Sequence, residues 1–354
     1  ISSAASDVYK RQPMRDSAWS GAWIAIANRC LHIFPTLTTC SKSGHFMPTL
    51  NSLAVADQAT LTPSRRDGVP LSLEEELCVF GCQQIQQAGT LLRLPQAAMS
   101  IAQVLFRRFW YVSSMKQFSV RDTSKGALLL ASKLAEVPLR LRDLLLVFDY
   151  LTQRACHRAQ FSHATTAPTF EYIPPSYHSQ SVYDDRDSLV VAEMQILKRL
   201  GFQVQVNLPY ALMINYLQVM GVADAQLSSN TDASYAPASQ YAWNYLSDAL
   251  QTPVYCLFPP HVIACTSIYL LTLSPNPLHE PLVLPLEPEP WWELFDATRG
   301  ELRAVASHIV RLYDTTTASE APREGLGMST RVQEIRGGLV TLSTRSGLRE
   351  ALEH

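Results

Sequence analysis

Cys78 and Cys82 stand four residues apart, a spacing that puts both side chains on one face of a helix. Two thiolates so placed are half of a tetrahedral zinc site, but no second Cys or His pair at ligand spacing accompanies them. The spacing therefore predicts two small core residues. The other cysteines, at 30, 40, 156, 256 and 265, are scattered; the total of seven is odd and no CxxC occurs. Free thiols of this kind fit a reducing compartment, cytosol or nucleus. His157, His163 and His178 lack metal-ligand spacing, and His261 and His308 fall in helical stretches where a structural role is expected. There is no Walker loop, HExxH, GxSxG or helical carboxylate pair to support catalysis. The expectation is a chain with no metal, no cofactor and no catalytic group of its own.

If the chemistry is recognition, the elements that present the surface matter. The 354 residues suffice for two domains of ordinary size plus flanking segments, and 47% hydrophobic content allows a large core. Charged residues are 17% and the formal net charge is -2, so the basic surplus that drives phosphate binding is missing. Direct nucleic-acid binding is not expected. No stretch reads as a membrane span; the apolar run from Ala18 to Phe34 is broken by Asn28 and Arg29. Residues 1–61 show no organised pattern and are expected to be disordered or non-native, with Met47 a plausible start.

Helical periodicity begins beyond Thr62. Leu73, Leu77, Phe80, Ile85 and Ala88 recur at helical steps and Gly89 closes the segment. Pro95 opens a second helix with a wide apolar stripe to Phe109. Ser119 with Asp122 three residues later reads as a capping-box-like start of a third. That third helix, through Ala127–Ala131, is apolar almost all round and belongs at the centre of a bundle. A fourth is expected over 138–153, then a surface loop over 156–181, then a fifth over 183–200, with Asp184 and Asp185 at its start and Lys198 and Arg199 at its end as the helix dipole favours. Gly201 is placed to follow it. The second half repeats the plan with helices near 208–221, 239–250, 260–273, 289–295 and 299–313, the last opened by a Thr298/Glu301 capping box. The fold predicted is all-α: five helices over 62–205, five over 206–314, and a poorly ordered tail over 315–354.

These residues also carry a resemblance. Thr62-Pro63-Ser64 with Asp67-Gly68, the run Gly81 to Gly89, and Leu92-Arg93-Leu94-Pro95-Gln96 resemble the entry into the first cyclin box of L-type cyclins. Leu130-Ala131-Ser132-Lys133-Leu134-Ala135-Glu136 is similar to the family's LASKxEE motif, and Arg140 with Arg142-Asp143 to its RxRD. In the second half Trp243-Asn244-Tyr245, Asp248, Leu250, Pro260, Ile263-Ala264, Ile268-Tyr269-Leu270 and Trp291 to Phe295 also match. The double Trp resembles the related K-type cyclins. The match spans about 62–314, and the order and spacing of its parts make it specific.

The resemblance implies two tandem cyclin boxes and a regulatory subunit that binds and activates a cyclin-dependent kinase, in RNA polymerase II transcription and pre-mRNA processing, in the nucleus. Transcription or splicing factors are further implied partners. It implies that Lys133 and Glu193 jointly hold the kinase's regulatory helix, and that Leu134, Leu197, Phe202 and Val204 pack on the kinase. Ala135 stands where the family usually has its first Glu, which shifts weight onto Glu136 and Glu193 as partners of Lys133. The plainer reading is that Lys133 pairs with Glu136 or Glu193 as a solvated ion pair worth about 0 to 1 kcal/mol. The substrate-docking MRAIL patch of cell-cycle cyclins and an Arg-Ser tail are absent from this sequence. The runner-up is a promoter-binding factor on the same repeat, resembling transcription factor IIB, which requires basic helix faces.

Overall fold

The computed structural model describes residues 61–160, 169–176, 179–223, 226–227, 236–273, 282–284, 290–320 and 339–353. The expectations for residues 1–60 lie outside this range. Helix α1 (Pro63–Arg66) is capped by Thr62, whose hydroxyl also donates to Glu74 Oε1 at 2.6 Å. It leads into α2 (Leu71–Leu91), α3 (Gln96–Val112), α4 (Val120–Leu134), α5 (Leu141–Gln160) and α6 (Gln180–Arg199).

Helix α4 is the axis of this first unit. Ser119 caps it by accepting the Asp122 amide at 3.2 Å, and its residues are buried on every side from Thr123 to Ser132. A helix without a polar face is stable only when others enclose it; α2, α3, α5 and α6 do so. Cys78 and Cys82 are buried in the same core. Burial pushes the Cys78 thiol up to about 12, so it stays protonated and packs as a small apolar group. Among the described residues no cluster of His, Cys, Asp and Glu is suited to a metal ion. None of the described helices is long and apolar enough to cross a membrane.

The second unit holds α7 (Tyr210–Val219), α8 (Ala238–Ala249), α9 (Val254–Leu257), α10 (Pro260–Leu273), a 3-10 turn (Glu293–Phe295) and α11 (Arg299–Glu320). Its buried centre is α10, matching α4 in the first. Glu301 Oε2 accepts the Thr298 amide at 3.0 Å while Thr298 Oγ1 accepts the Glu301 amide at 3.3 Å, a complete capping box. The helix expected over 289–295 is only the 3-10 turn, because Pro290 precedes it and left-handed Asp296 ends it. Between α7 and α8 a two-residue antiparallel ribbon pairs Gln226 with Pro237 and Leu227 with Ala236. It is the described residues' one departure from helix, turn and loop.

The two units meet at the carbonyls that end α8. Arg107 of α3 donates to the Gln251 carbonyl, and Cys82 of α2 to the Leu250 carbonyl at 3.7 Å. Carbonyls at a helix C-terminus have no partner within their own helix, so side chains from the other unit satisfy them. Arg108 reaches the Gln205 carbonyl at 2.9 Å, and Val104 enters the second unit's core.

Two further expectations need correction. The loop foreseen from 156 is helical to Gln160, since α5 continues there. The tail foreseen over 315–354 is in part ordered: α11 extends to Glu320, and residues 339–342 and α12 (Arg345–Glu353) are helical. Leu339 and Leu348 are buried in the core of the first unit. That packing is long-range, so no local pattern in a stretch rich in Thr, Ser, Gly and Arg announces it.

Candidate functional site

The close approach of α4 and α6 makes the site. A Cβ on Gly126 would stand 2.9 Å from the Glu193 amide nitrogen and 3.0 Å from the Ala192 Cβ. Only glycine lets the two backbones come this near. Two ion pairs then bridge the helices. Lys125 Nζ lies 3.1 Å from Asp122 Oδ1 and 3.0 Å from Asp185 Oδ1, and its side chain is 1% exposed. Lys133 Nζ lies 2.6 Å from Glu193 Oε1, with the lysine 59% and the glutamate 12% exposed.

The two lysines therefore do different things. A buried ammonium is costly unless paired, so Lys125 is a fastener. An exposed pair such as Lys133–Glu193 contributes about 0 to 1 kcal/mol to stability. What the second pair does achieve is orientation: a half-sunk carboxylate fixes a solvent-facing ammonium that carries three donors.

Lys133 is the last residue but one of α4, and the helix ends at once. Glu136 takes a left-handed conformation (φ 56°) while its amide returns to the Lys133 carbonyl at 3.2 Å. Lys133 is thus paired with Glu193; Glu136 lies on the surface beyond the helix end and its carboxylate is not the group that holds the ammonium. Leu134 is 40% exposed beside the pair.

The end of α6 supplies the rest. Gly201 and Phe202 are successive left-handed residues, φ 58° and 60°. The Phe202 amide bonds to the Leu197 carbonyl at 2.9 Å, which pins the turn. Left-handed backbone is uncommon for a bulky residue and costs about 1 to 2 kcal/mol, yet this one leaves its ring 70% exposed. Leu197 and Val204 are half-buried and pack against the core of the first unit, so they support the surface from below.

Three further residues belong to this surface and escaped the sequence reading. Tyr183, Val190 and Met194 are exposed large side chains on α6, at 42%, 46% and 59%. At 3.6 residues per turn they fall on one stripe with Leu197, and Glu193 lies between that stripe and the core-facing side of the helix. The core-facing residues of the helix, Leu189 and Ile196, are buried on a different side. The signal was available: α6 has two apolar faces, and only one can face inward.

Exposed Leu134, Val190, Met194 and Phe202 thus stand on the same two helices and following turn as the Lys133–Glu193 pair, an apolar surface that carries one oriented ion pair. There is no nucleophile beside a base within it. Exposed apolar side chains around a charged pair are chemically suited to binding a partner.

Comparison with known proteins agrees with this architecture. No protein-family model matches the chain. It is 35% identical to Cyclin-L1 of Homo sapiens over 264 residues, covering 74% of this chain and 44% of the relative. It is 36% identical to Cyclin-L2 of Rattus norvegicus over 272 residues, covering 77% of this chain and 46% of the relative. The chain thus spans less than half the length of these curated relatives. A chain of the yeast RNA polymerase II CTD kinase CTDK-1 complex shares the fold, with a TM-score of 0.54, 12% identity, and coverage of 80% of this chain and 81% of that one. Two helical units, each with an enclosed central helix, and this degree of identity across both make the chain a member of the cyclin family, most like the L-type cyclins.

Proposed function

We propose that this chain is the regulatory subunit of a cyclin-dependent kinase, which it binds and activates through the α4–α6 surface, and that the pair serves RNA polymerase II transcription and pre-mRNA processing in the nucleus. The observation that carries this reading is the Lys133–Glu193 pair held at 2.6 Å within an exposed apolar patch. Glu193 fixes the ammonium, leaving its remaining donors for backbone carbonyls of a partner helix. The second carboxylate oxygen of Glu193 accepts amides from the same partner. Phe202, Leu134, Met194 and Val190 supply the apolar contact around these charge-assisted bonds, with Leu197 and Val204 beneath.

Activation needs no catalytic group from the cyclin. A surface that binds only the inward position of a mobile kinase helix shifts the population toward that position. The inward helix completes the kinase's own Lys–Glu pair and metal site, where phosphoryl transfer takes place. A stable complex of this type buries roughly 1,200 Å² or more, with a few central residues dominating.

The test is affinity capture from nuclear extract with the wild-type chain and with Lys133→Ala combined with Glu193→Ala. Loss of the kinase from the double variant, with helical circular dichroism unchanged, is the expected result. Undiminished kinase capture by the double variant would sink the proposed site. Imaging of the tagged chain checks the nuclear assignment.

A further inference from the structure

Nothing in the second unit accounts for residues 339–353, which follow it in sequence and pack on the first. We infer that they form a detachable strap that sets the rigidity of the α4–α6 junction from the end opposite Lys133.

The attachment is specific. The first amides of a helix lack partners within it. Ser119 satisfies the Asp122 amide of α4, and the Arg121 amide is satisfied by the Ser343 carbonyl at 3.2 Å. The same carbonyl accepts the Ser119 hydroxyl at 3.1 Å. Arg349 Nε donates to the Lys116 carbonyl at 3.1 Å, holding the turn that leads into α4. Leu339 and Leu348 are buried in the core of the first unit, with Leu342 and Leu352 half-buried beside them. Ser119, Arg121, Asp122 and Asp185 line a cleft together with Arg345 and Arg349 of the strap. Asp122 and Asp185 are the two carboxylates that neutralise Lys125.

The strap is also weakly built on its own. Helix α12 has nine residues, well under the roughly 12 to 15 needed for an isolated helix in water. It is helical only while docked, so it docks and releases as one cooperative piece. Release returns the Arg121 amide to water, opens the cleft to solvent beside Lys125, and frees the starts of both α4 and α6. Those helices carry Lys133 and Glu193 further along. The strap's influence on partner binding rests on the proposed function; its effect on the junction does not.

Hydrogen–deuterium exchange of the whole chain, wild type against Leu348→Asp, tests this. The expected result is at least tenfold faster exchange over 119–126 and 183–189, with α10 of the second unit unchanged. A synthetic peptide of residues 339–354, added in excess, is expected to restore protection, and the same peptide carrying Leu348→Asp is not. If Leu348→Asp unfolds the chain, Leu348→Ala is read in its place, with the same regional pattern expected. Unchanged exchange over 119–126, acceleration spread evenly over both units, or no protection from the wild-type peptide would each overturn the strap. No kinase enters this readout, so failure of the wild-type chain to capture a kinase would overturn the proposed function and leave the strap standing.

Discussion

Lys125 and Asp185 are joined at 3.0 Å across sixty residues of sequence, the same separation as Lys133 and Glu193 at 2.6 Å. Both pairs tie α4 to α6, one on the sealed side of the junction and one on the open side. Lys125 is 1% exposed and Lys133 is 59% exposed. One residue type thus holds the helices together in one place and faces outward in the other, and burial decides which.

The two lysines should respond oppositely to mutation. Lys125→Ala removes three buried stem carbons and the counter-charge of both carboxylate partners, with an expected cost of about 2 to 4 kcal/mol. Lys125→Met keeps the volume and should cost less than Lys125→Ala. Lys133→Ala should cost at most about 1 kcal/mol while abolishing kinase capture. Urea unfolding midpoints beside a capture assay separate these outcomes; equal destabilisation at 125 and 133 would contradict the division of roles.

Phe202→Gly should separate stability from binding. Glycine adopts the left-handed backbone without strain, and the ring it removes is 70% exposed, so little packing is lost. Relief of strain and the larger entropy of an unfolded glycine nearly offset one another, and the net change is expected within about 1 kcal/mol. Kinase capture should nevertheless fall at least tenfold. A variant that binds as well as wild type would remove the ring from the proposed surface.

Gly126→Ala probes the junction itself. The added carbon would sit 2.9 Å from the Glu193 amide nitrogen, closer than atoms of these kinds approach. Backbone must shift to admit it, at a cost of about 1 to 3 kcal/mol. Because the shift moves the stretch that bears Glu193, kinase capture should weaken along with the thermal midpoint. A stable variant with full capture would show that the close approach is not what positions the pair.

How much of this could be read beforehand depended on whether the signal was local. Helix α4 was legible because Ser119 caps it and its residues are apolar on all sides, two facts contained in a short window. The Thr298–Glu301 box was legible for the same reason. Lys133 and Glu193 were found through a family motif; periodicity alone does not pair residues sixty positions apart. Gly126 carried no local signal, since a glycine inside a helix becomes meaningful only when the partner backbone is known. Residues 339–353 were missed because their apolar residues face a core made of residues 77–196. The outward face of α6 was missed for a different reason. Tyr183, Val190 and Met194 look like core residues to a rule that sends every apolar residue inward, and that rule fails because much of a folded surface is itself apolar.

Stability should also depend on pH through His308, at the junction of the two units. Burial lowers the pKa of His308 from its ordinary value near 6.5. The groups facing it are the Phe258 ring of the second unit, Glu75 of the first, which partly counteracts the shift, and Arg311 and Arg107, which reinforce it. The folded chain therefore keeps this imidazole neutral at a pH where the unfolded chain has begun to protonate it. Its contribution is complete above about 6.5 and declines as pH falls below that value, because the unfolded state then binds the extra proton. His308→Gln cannot take up the proton, so this part of the decline should vanish. Urea unfolding between pH 7.5 and 5.5 checks the sign: wild type should lose stability faster than the variant on acidification, and parallel curves would show that His308 does not report the burial of the interface.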